Sequence, residues 1–289
     1  MPSQLMTKDN YTLLCMLSRY LNDHADFIDQ ESVSQMMLAG VGEELSFSLL
    51  LASALGLNLD KAPDMVIYER YFKCMVHLLD EKLYMNNPYL RNISLPEVTL
   101  GSCRLKYQSY KPYEAFVCDD FSIGESGEAI PQIGFFNKEF SFPAILQNGR
   151  LWMAVIPNEI NTMKEAVEAA KGRVLAYGLG LGYYAYMTSQ KPEVESVTIV
   201  DNSPEIISLF KTYILPQFAN REKITVIEDD AFRYAENSMS EGKYDLVFTD
   251  LWHDASDGID LYRKMQSFEP VSTDTQFLYW IEKSLKIYL

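Results

Sequence analysis

Apolar positions along this chain fall into three successive textures, and each predicts a different kind of element. Up to about residue 100 they recur at helical spacing. Tyr11, Leu14, Leu17 and Leu21 are three, three and four residues apart, which puts them on one face of a helix. Glu43 to Leu55 reads as a second apolar helix, stopped at Gly56, where a left-handed residue would cap it. Met65 to Leu79 reads as a third, with Tyr68, Tyr71, Phe72, Met75 and Leu79 along one side, a stripe suited to a core or a subunit contact. Residues 1–100 are thus predicted to be a helical region.

Over residues 101–157 the period changes to that of strands. Phe142 to Leu146 and Leu151 to Val155 flank Gln147, Asn148, Gly149 and Arg150. Asn-Gly supplies the two positive φ angles of a type I′ turn, so a β-hairpin is expected here. Gly134 to Phe136 and Phe140 to Phe142, separated by Asn137, Lys138 and Glu139, predict another. The stretch reads as a small antiparallel sheet.

Over residues 158–289 helix and strand alternate. Ile160, Met163, Val167 and Ala170 line a helical face that Gly172 is expected to end. Four short apolar, β-branched runs follow, Val174–Tyr177, Val197–Val200, Ile224–Ile227 and Tyr244–Thr249, as strands buried on both faces of a parallel sheet require. Ser203, Pro204 and Glu205 form a helix start, with a capping serine, proline at the first helical position and an acid in the first turn; Pro216 marks the end. One helix over about 258–265 and another over about 273–289 complete the pattern. The fold class is therefore α/β, a Rossmann-like sheet truncated after the fourth or fifth strand, with the fifth to seventh strands of a fuller sheet expected to be missing. An open fourth strand would need cover from the last helix or from a second subunit, which makes a homodimer an expectation.

Composition changes this picture little. Apolar residues are 48% of 289, and the longest apolar stretches, such as Leu49 to Leu55, fall far short of the roughly 20 residues that span a bilayer. Met1, Pro2, Ser3, Gln4 and Leu5 do not open a signal peptide, so a cytoplasmic protein without membrane contact is expected. Cys15, Cys74, Cys103 and Cys118 are scattered, which argues against a zinc site or disulfide framework and predicts buried free thiols and no metal. A net charge of −15 repels nucleic acid over long range, and no nucleic-acid partner is expected.

In a parallel sheet of this kind, ligands bind at the carboxyl ends of the strands. Those four ends carry Gly178, Gly180 and Gly182; Asp201 and Asn202; Asp229, Asp230 and Ala231; and Asp250, Trp252, His253 and Asp254. Glycines at the first turn let backbone approach a ligand and free amide N–H groups at a helix start. An acid at the second end can accept both hydroxyls of a ribose. An acid at the third can accept an adenine amino group while the next backbone N–H donates to a ring nitrogen. The fourth lies nearest the reacting carbon. A nucleoside-type ligand follows, and two families compete for it. Gly180 to Ala185 fits GxGxxA with Asp201 about twenty residues on, as in a nicotinamide dinucleotide site.

The remaining motifs fit a different family. Val174 to Gly182 resembles motif I of class I S-adenosylmethionine-dependent methyltransferases, and Val197 to Asp201 resembles their second motif. Ile224 to Ala231 resembles the third and Tyr244 to Asp250 the fourth. Within that superfamily the chain is most similar to the spermidine synthase-like (aminopropyltransferase) branch, on the strength of Val197 to Ile207, the Asp229-Asp230-Ala231 step, and a β-hairpin and the acid Glu159 ahead of motif I. The resemblance covers about 110 residues. It implies that Gly178 and Gly180 approach the amino acid part of S-adenosylmethionine, that Gly182 lets the next helix pack, and that Asp201 holds the ribose. By the same resemblance Asp230 and Ala231 hold the adenine and Asp250 faces the sulfonium. Tyr177 and Tyr183 flank the glycine loop and either wall the ligand pocket or pack the core.

On the acceptor side the candidates are Glu159, Trp252 and Asp254, with Asp250 and His253 for catalysis. His253 is the histidine near the crevice and so the natural general base, or else a helix-start residue bonded to its neighbours. Trp252 is either packing or a substrate platform. Two departures stand out: Ala176 replaces the acid usual two residues before the first glycine, and the loop from Asp250 to Gly258 lacks the proline of an aminopropyltransferase Asp-x-x-Asp-Pro clamp, although Asp250, Asp254 and Asp257 would still attract a cation. The expected function is methyl transfer from S-adenosylmethionine to a small-molecule acceptor. The alternatives are aminopropyl transfer from decarboxylated S-adenosylmethionine, or a non-catalytic nucleoside-binding or assembly protein.

Overall fold

The computed structural model describes residues 8–271 and 274–289, in which twelve strands are assigned. In chain order they are β1 (Val76–Leu78), β2 (Val98–Leu100), β3 (Cys103–Tyr110), β4 (Phe116–Ile123), β5 (Ala129–Phe135), β6 (Phe140–Gln147), β7 (Arg150–Ala154), β8 (Gly172–Tyr177), β9 (Val194–Asp201), β10 (Ile224–Glu228), β11 (Leu246–Thr249) and β12 (Gln276–Tyr279). The chain divides into two compact units, each drawn from separated stretches: one from residues up to Tyr84 with Ser109–Ser141 and Lys286–Leu289, the other from Met85–Gln108 and Phe142–Leu285. Three consecutive regions were the expectation from sequence. The difference arises because the strands of residues 101–157 are shared between two sheets.

In the first unit the helices Lys8–Asp23, Gln30–Leu38 and Glu43–Ala54 pack with a three-stranded sheet of order β1-β5-β4. Its core includes Leu17, Val33, Phe47, Tyr71 and Phe135, with the Phe47 and Phe135 rings stacked at 4.0 Å. Gly56 has φ +86°, the predicted cap. The first helix, however, buries Leu13, Leu17 and Tyr20 and leaves Tyr11 63% exposed. Its face is rotated because Asn10, fully buried, donates to the Ala129 carbonyl at 2.5 Å and accepts from the Tyr71 hydroxyl. The third predicted helix stops at Met75, and Val76–Leu78 leaves it to pair with β5. That pairing also rules out the hairpin expected across residues 134–142. With β1 on one edge of β5 and β4 on the other, β5 has no edge left for β6. Cys103 and Cys118 are buried, but Cys15 and Cys74 are exposed; none of the four is in a disulfide, so the expectation of buried thiols holds for two.

In the second unit β6 and β7 form the predicted hairpin. Gln147 pairs with Arg150 across Asn148 (φ +51°) and Gly149 (φ +81°), the two positive angles of a type I′ turn. These strands belong to a sheet of order β2-β3-β6-β7. The remaining five strands make a wholly parallel sheet of order β10-β9-β8-β11-β12. The four strands predicted here are present. So is a fifth: Gln276–Tyr279 pairs in parallel with β11 where a continuous helix from about 273 was expected. Thr273 lies outside the described residues, and the helix is confined to Glu282–Tyr288. Thus β12, and not a helix or a second subunit, covers the fourth strand. Gly172, expected to end a helix, opens β8 instead. Strand order reverses at β8, which opens a crevice at the carboxyl ends of β8, β9 and β11. No single helix among the described residues is long and apolar enough to cross a membrane.

Candidate functional site

Where β8 ends, the chain turns through Gly178, whose N–H donates to the Val200 carbonyl at 3.0 Å and whose φ is +94°. A side-chain carbon on Gly178 would run into the backbone oxygen of Asp250, so β8 and β11 approach each other here as closely as backbones can. At Gly182 the corresponding position is filled by the Phe210 ring, which accounts for a glycine at the start of the helix Tyr183–Ser189 by packing.

The end of β9 ties this turn down. Asp201 accepts from the Leu179 N–H at 2.9 Å through Oδ2 and from the Ser203 N–H at 2.8 Å through Oδ1. Each oxygen keeps a further acceptor position. Burial raises the Asp201 carboxyl above its usual range, against the lowering effect of those two amides. At the end of β10, Asp230 caps the helix Ala231–Asn237 by accepting from the Arg233 N–H at 2.9 Å, and the Ala231 N–H is among the first amides of that helix, which have no intrahelical acceptor.

These ends open on one cleft of about 640 Å³. Gly178, Gly180, Asp201, Asn202, Asp230, Ala231, Asp250, Trp252 and His253 all line it. Four other predicted residues do not. Tyr177, the last residue of β8, is fully buried with no hydrogen-bond partner for its hydroxyl among the described residues, and Gly182 is spent on packing. Asp254 is the N-cap of the helix Ala255–Gln266, its carboxylate accepting from the Ser256 N–H at 2.6 Å, so the local turn uses the charge that was expected to meet substrate. Glu159 is buried in the helix Pro157–Thr162, close enough to Asp250 to feel its charge. Trp252 borders the cleft but is 4% exposed, and its indole N–H donates to the Trp280 carbonyl at 3.3 Å, which favours packing over a platform. Tyr183 is likewise buried, bonded to the Asn87 amide.

Sequence reasoning missed one wall of the cleft. Gln147, Trp152 and Met153 come from the β6–β7 hairpin, and Phe232 from just past Ala231. The available signal was Leu151 and Trp152, large apolar side chains beside a tight turn, where both remain more than one-third exposed.

Three carboxylates, of Asp201, Asp230 and Asp250, face the cleft, and no Lys or Arg among the described residues lines it. Asp250 is raised to about 7, first by burial and then by the charge of Asp201. Glu159 is raised well above its ordinary 4.5 by burial and then by Asp250. A raised carboxyl binds its proton more tightly in the folded chain than in the unfolded one. The contribution of Glu159 to stability is therefore fully present below about pH 4.5 and is lost as pH rises toward its folded pKa. Glu159→Gln, which cannot ionise, should stabilise the protein at neutral pH and leave its stability unchanged near about pH 4. Thermal melting at both pH values checks this; an equal shift at both would trace the effect to packing.

No protein-family model and no curated protein matches this chain. Among solved structures it is similar to a candidate O-methyltransferase from Klebsiella pneumoniae, at 15% identity and TM-score 0.28, over 36% of this chain and 46% of that one. It is also similar to an S-adenosylmethionine-dependent methyltransferase from Agrobacterium tumefaciens, at 21% identity and TM-score 0.35, over 46% of each chain. The match thus spans less than half the length of either protein.

Proposed function

We propose that this chain is an S-adenosylmethionine-dependent methyltransferase acting on a small-molecule acceptor. The observation that carries the reading is the convergence of the polar groups of four strand ends on a single cleft, in the order a nucleoside needs. The residues suit that ligand. Asp201 is fixed by two backbone amides and has acceptor capacity left for two ribose hydroxyls. Asp230 and the Ala231 N–H offer an acceptor and a donor side by side for the edge of an adenine. Gly178 and Gly180 border the cleft with backbone alone. Asp201, Asp230 and Asp250 line the cleft where the amino and sulfonium groups would lie, and a bound cation would favour the ionised form of Asp250.

When bound, S-adenosylmethionine supplies an electrophilic methyl group on a positively charged sulfur. The chain's own task is then mostly alignment and exclusion of water, which needs few obligatory catalytic groups. Trp152, Met153 and Leu251 wall the side of the cleft left for an acceptor.

One observation favours a second reading, aminopropyl transfer from decarboxylated S-adenosylmethionine. Three acids and no Lys or Arg among the described residues line the cleft, which suits a ligand that has lost its carboxylate and keeps only its amino and sulfonium cations. Calorimetric titration with S-adenosylmethionine, S-adenosylhomocysteine, the decarboxylated form and NAD separates the readings. Micromolar binding of the first two with NAD silent is the expected result. Preference for the decarboxylated form moves the assignment to aminopropyl transfer. Silence from all four with folded protein sinks both readings and leaves a non-catalytic role.

A further inference from the structure

Resting on the methyltransferase reading, we propose that His253 and Asp257 act as a general-base pair at the cleft, taking the proton of an aromatic hydroxyl seated against Trp152.

The geometry has three parts. First, His253 lines the cleft, and its Nδ1 lies 2.9 Å from Asp257 Oδ2. Second, Asp257 cannot swing away, because its carboxylate also accepts from the backbone N–H groups of His253 and Asp254, both at 3.1 Å. Burial alone would raise this carboxyl, but the hydrogen bonds from His253 and those backbone groups outweigh it, and the net direction is down. An ionised Asp257 requires the proton on Nδ1, which makes Nε2 the basic nitrogen. Third, the Trp152 ring from β7 meets the imidazole edge-on, with centroids 4.3 Å apart and planes at 78°, and so restricts its rotation.

Helix capping explains the backbone bonds to Asp257 but not the imidazole, since the cap is complete without any side chain at position 253. Besides Asp257 itself, the charged groups lining the cleft with His253 are Asp201, Asp230 and Asp250, all acidic; the hairpin side brings Trp152, which carries no charge. His253 is also half-exposed, so a proton it accepts can pass on to water.

The surroundings select the acceptor. Trp152, Met153, Leu251 and Leu261 offer an apolar slot for a planar body, and the cleft has no Lys or Arg among the described residues to hold an anionic one. A phenolic hydroxyl is acidic enough for a positioned imidazole to take its proton as the oxygen attacks. As the acceptor's O–H bond breaks, its proton passes to His253 Nε2. The oxygen's electron pair forms the bond to the methyl carbon, and the carbon–sulfur pair stays with sulfur as the neutral thioether.

The test uses the full chain and needs no turnover. S-adenosylhomocysteine affinity is measured first, and silence there overturns the methyltransferase reading and this assignment with it. The loaded protein is then titrated with para-nitrophenol while the phenolate absorbance is followed. Binding should raise the phenolate signal as His253 takes the proton. His253→Asn should abolish that rise, and Asp257→Asn should weaken it by about tenfold or more. Asp254→Asn, which removes the other acid of the same cap, should leave it in place. An unchanged signal in His253→Asn, an equal loss in Asp254→Asn, or binding of putrescine in place of the phenol would each overturn the proposal.

Discussion

Gly178→Ala should unfold the second unit or destabilise it by about 2–6 kcal/mol, whereas Gly180→Ala should cost only about 1 kcal/mol. Both glycines have positive φ, +94° and +49°, so conformation alone does not separate them strongly. Their surroundings do. The new methyl at 178 meets the backbone oxygen of Asp250, which cannot retreat without dragging the end of β11, where the Asp250 N–H is bonded to the Tyr177 carbonyl at 2.9 Å. The methyl at 180 meets the far end of the Met153 side chain, which can rotate aside. Denaturant midpoints of the two variants measure the difference. Similar costs for both would mean that the close approach of β8 and β11 does not govern this turn. Because Met153 lines the cleft, Gly180→Ala should also weaken nucleoside binding more than it weakens the fold.

The parallel sheet was legible for a physical reason. Val174–Tyr177 and Leu246–Thr249 are buried at every position, as strands covered on both faces are, and such short apolar and β-branched runs stand out from amphipathic helices; Ile224–Glu228, at the sheet edge, is only partly buried. Local chemistry was equally readable at the Asn148-Gly149 turn and at Ser203, whose hydroxyl accepts from the Ile206 N–H as an N-cap should. Pairing was not. Whether β5 joins β4 or β6 depends on which edges other strands occupy, and nothing within residues 129–147 records that β1 has taken one. A four-residue strand such as β12 is likewise too short to show a period.

Position at a strand end was informative about the cleft, but side-chain direction was not. Tyr177 sits beside Gly178 in sequence and yet points into the core, because alternate residues of a strand face opposite sides. Asp254 and Asp257 looked like equivalent acids. The capping box separates them, leaving one as a plain cap and placing the other against an imidazole. The hairpin wall was out of reach for a different reason, since no local pattern tells a turn which strand ends it will stand beside.

Asp201→Ala should lower affinity for S-adenosylhomocysteine by about 100-fold or more while leaving a folded protein. Two hydrogen bonds from ribose hydroxyls to a carboxylate are worth about 1.5–3 kcal/mol each, which makes 100-fold a lower bound. The substitution also releases the Leu179 and Ser203 amides from Asp201, so the glycine turn loses its tether to β9. Against that loss stands one gain: removing the Asp201 charge relieves Asp250, whose carboxyl should titrate lower in the variant. Asp201→Asn is not a mild substitute. Its amide has one acceptor oxygen for two N–H donors, and its own NH₂ must face either Leu179 or Ser203. Asn should therefore lose nearly as much affinity as Ala. If calorimetry instead gives either folded variant an affinity within about threefold of the parent, the ribose does not lie on Asp201, and Asp201 is only the clasp between the first two strands of the sheet.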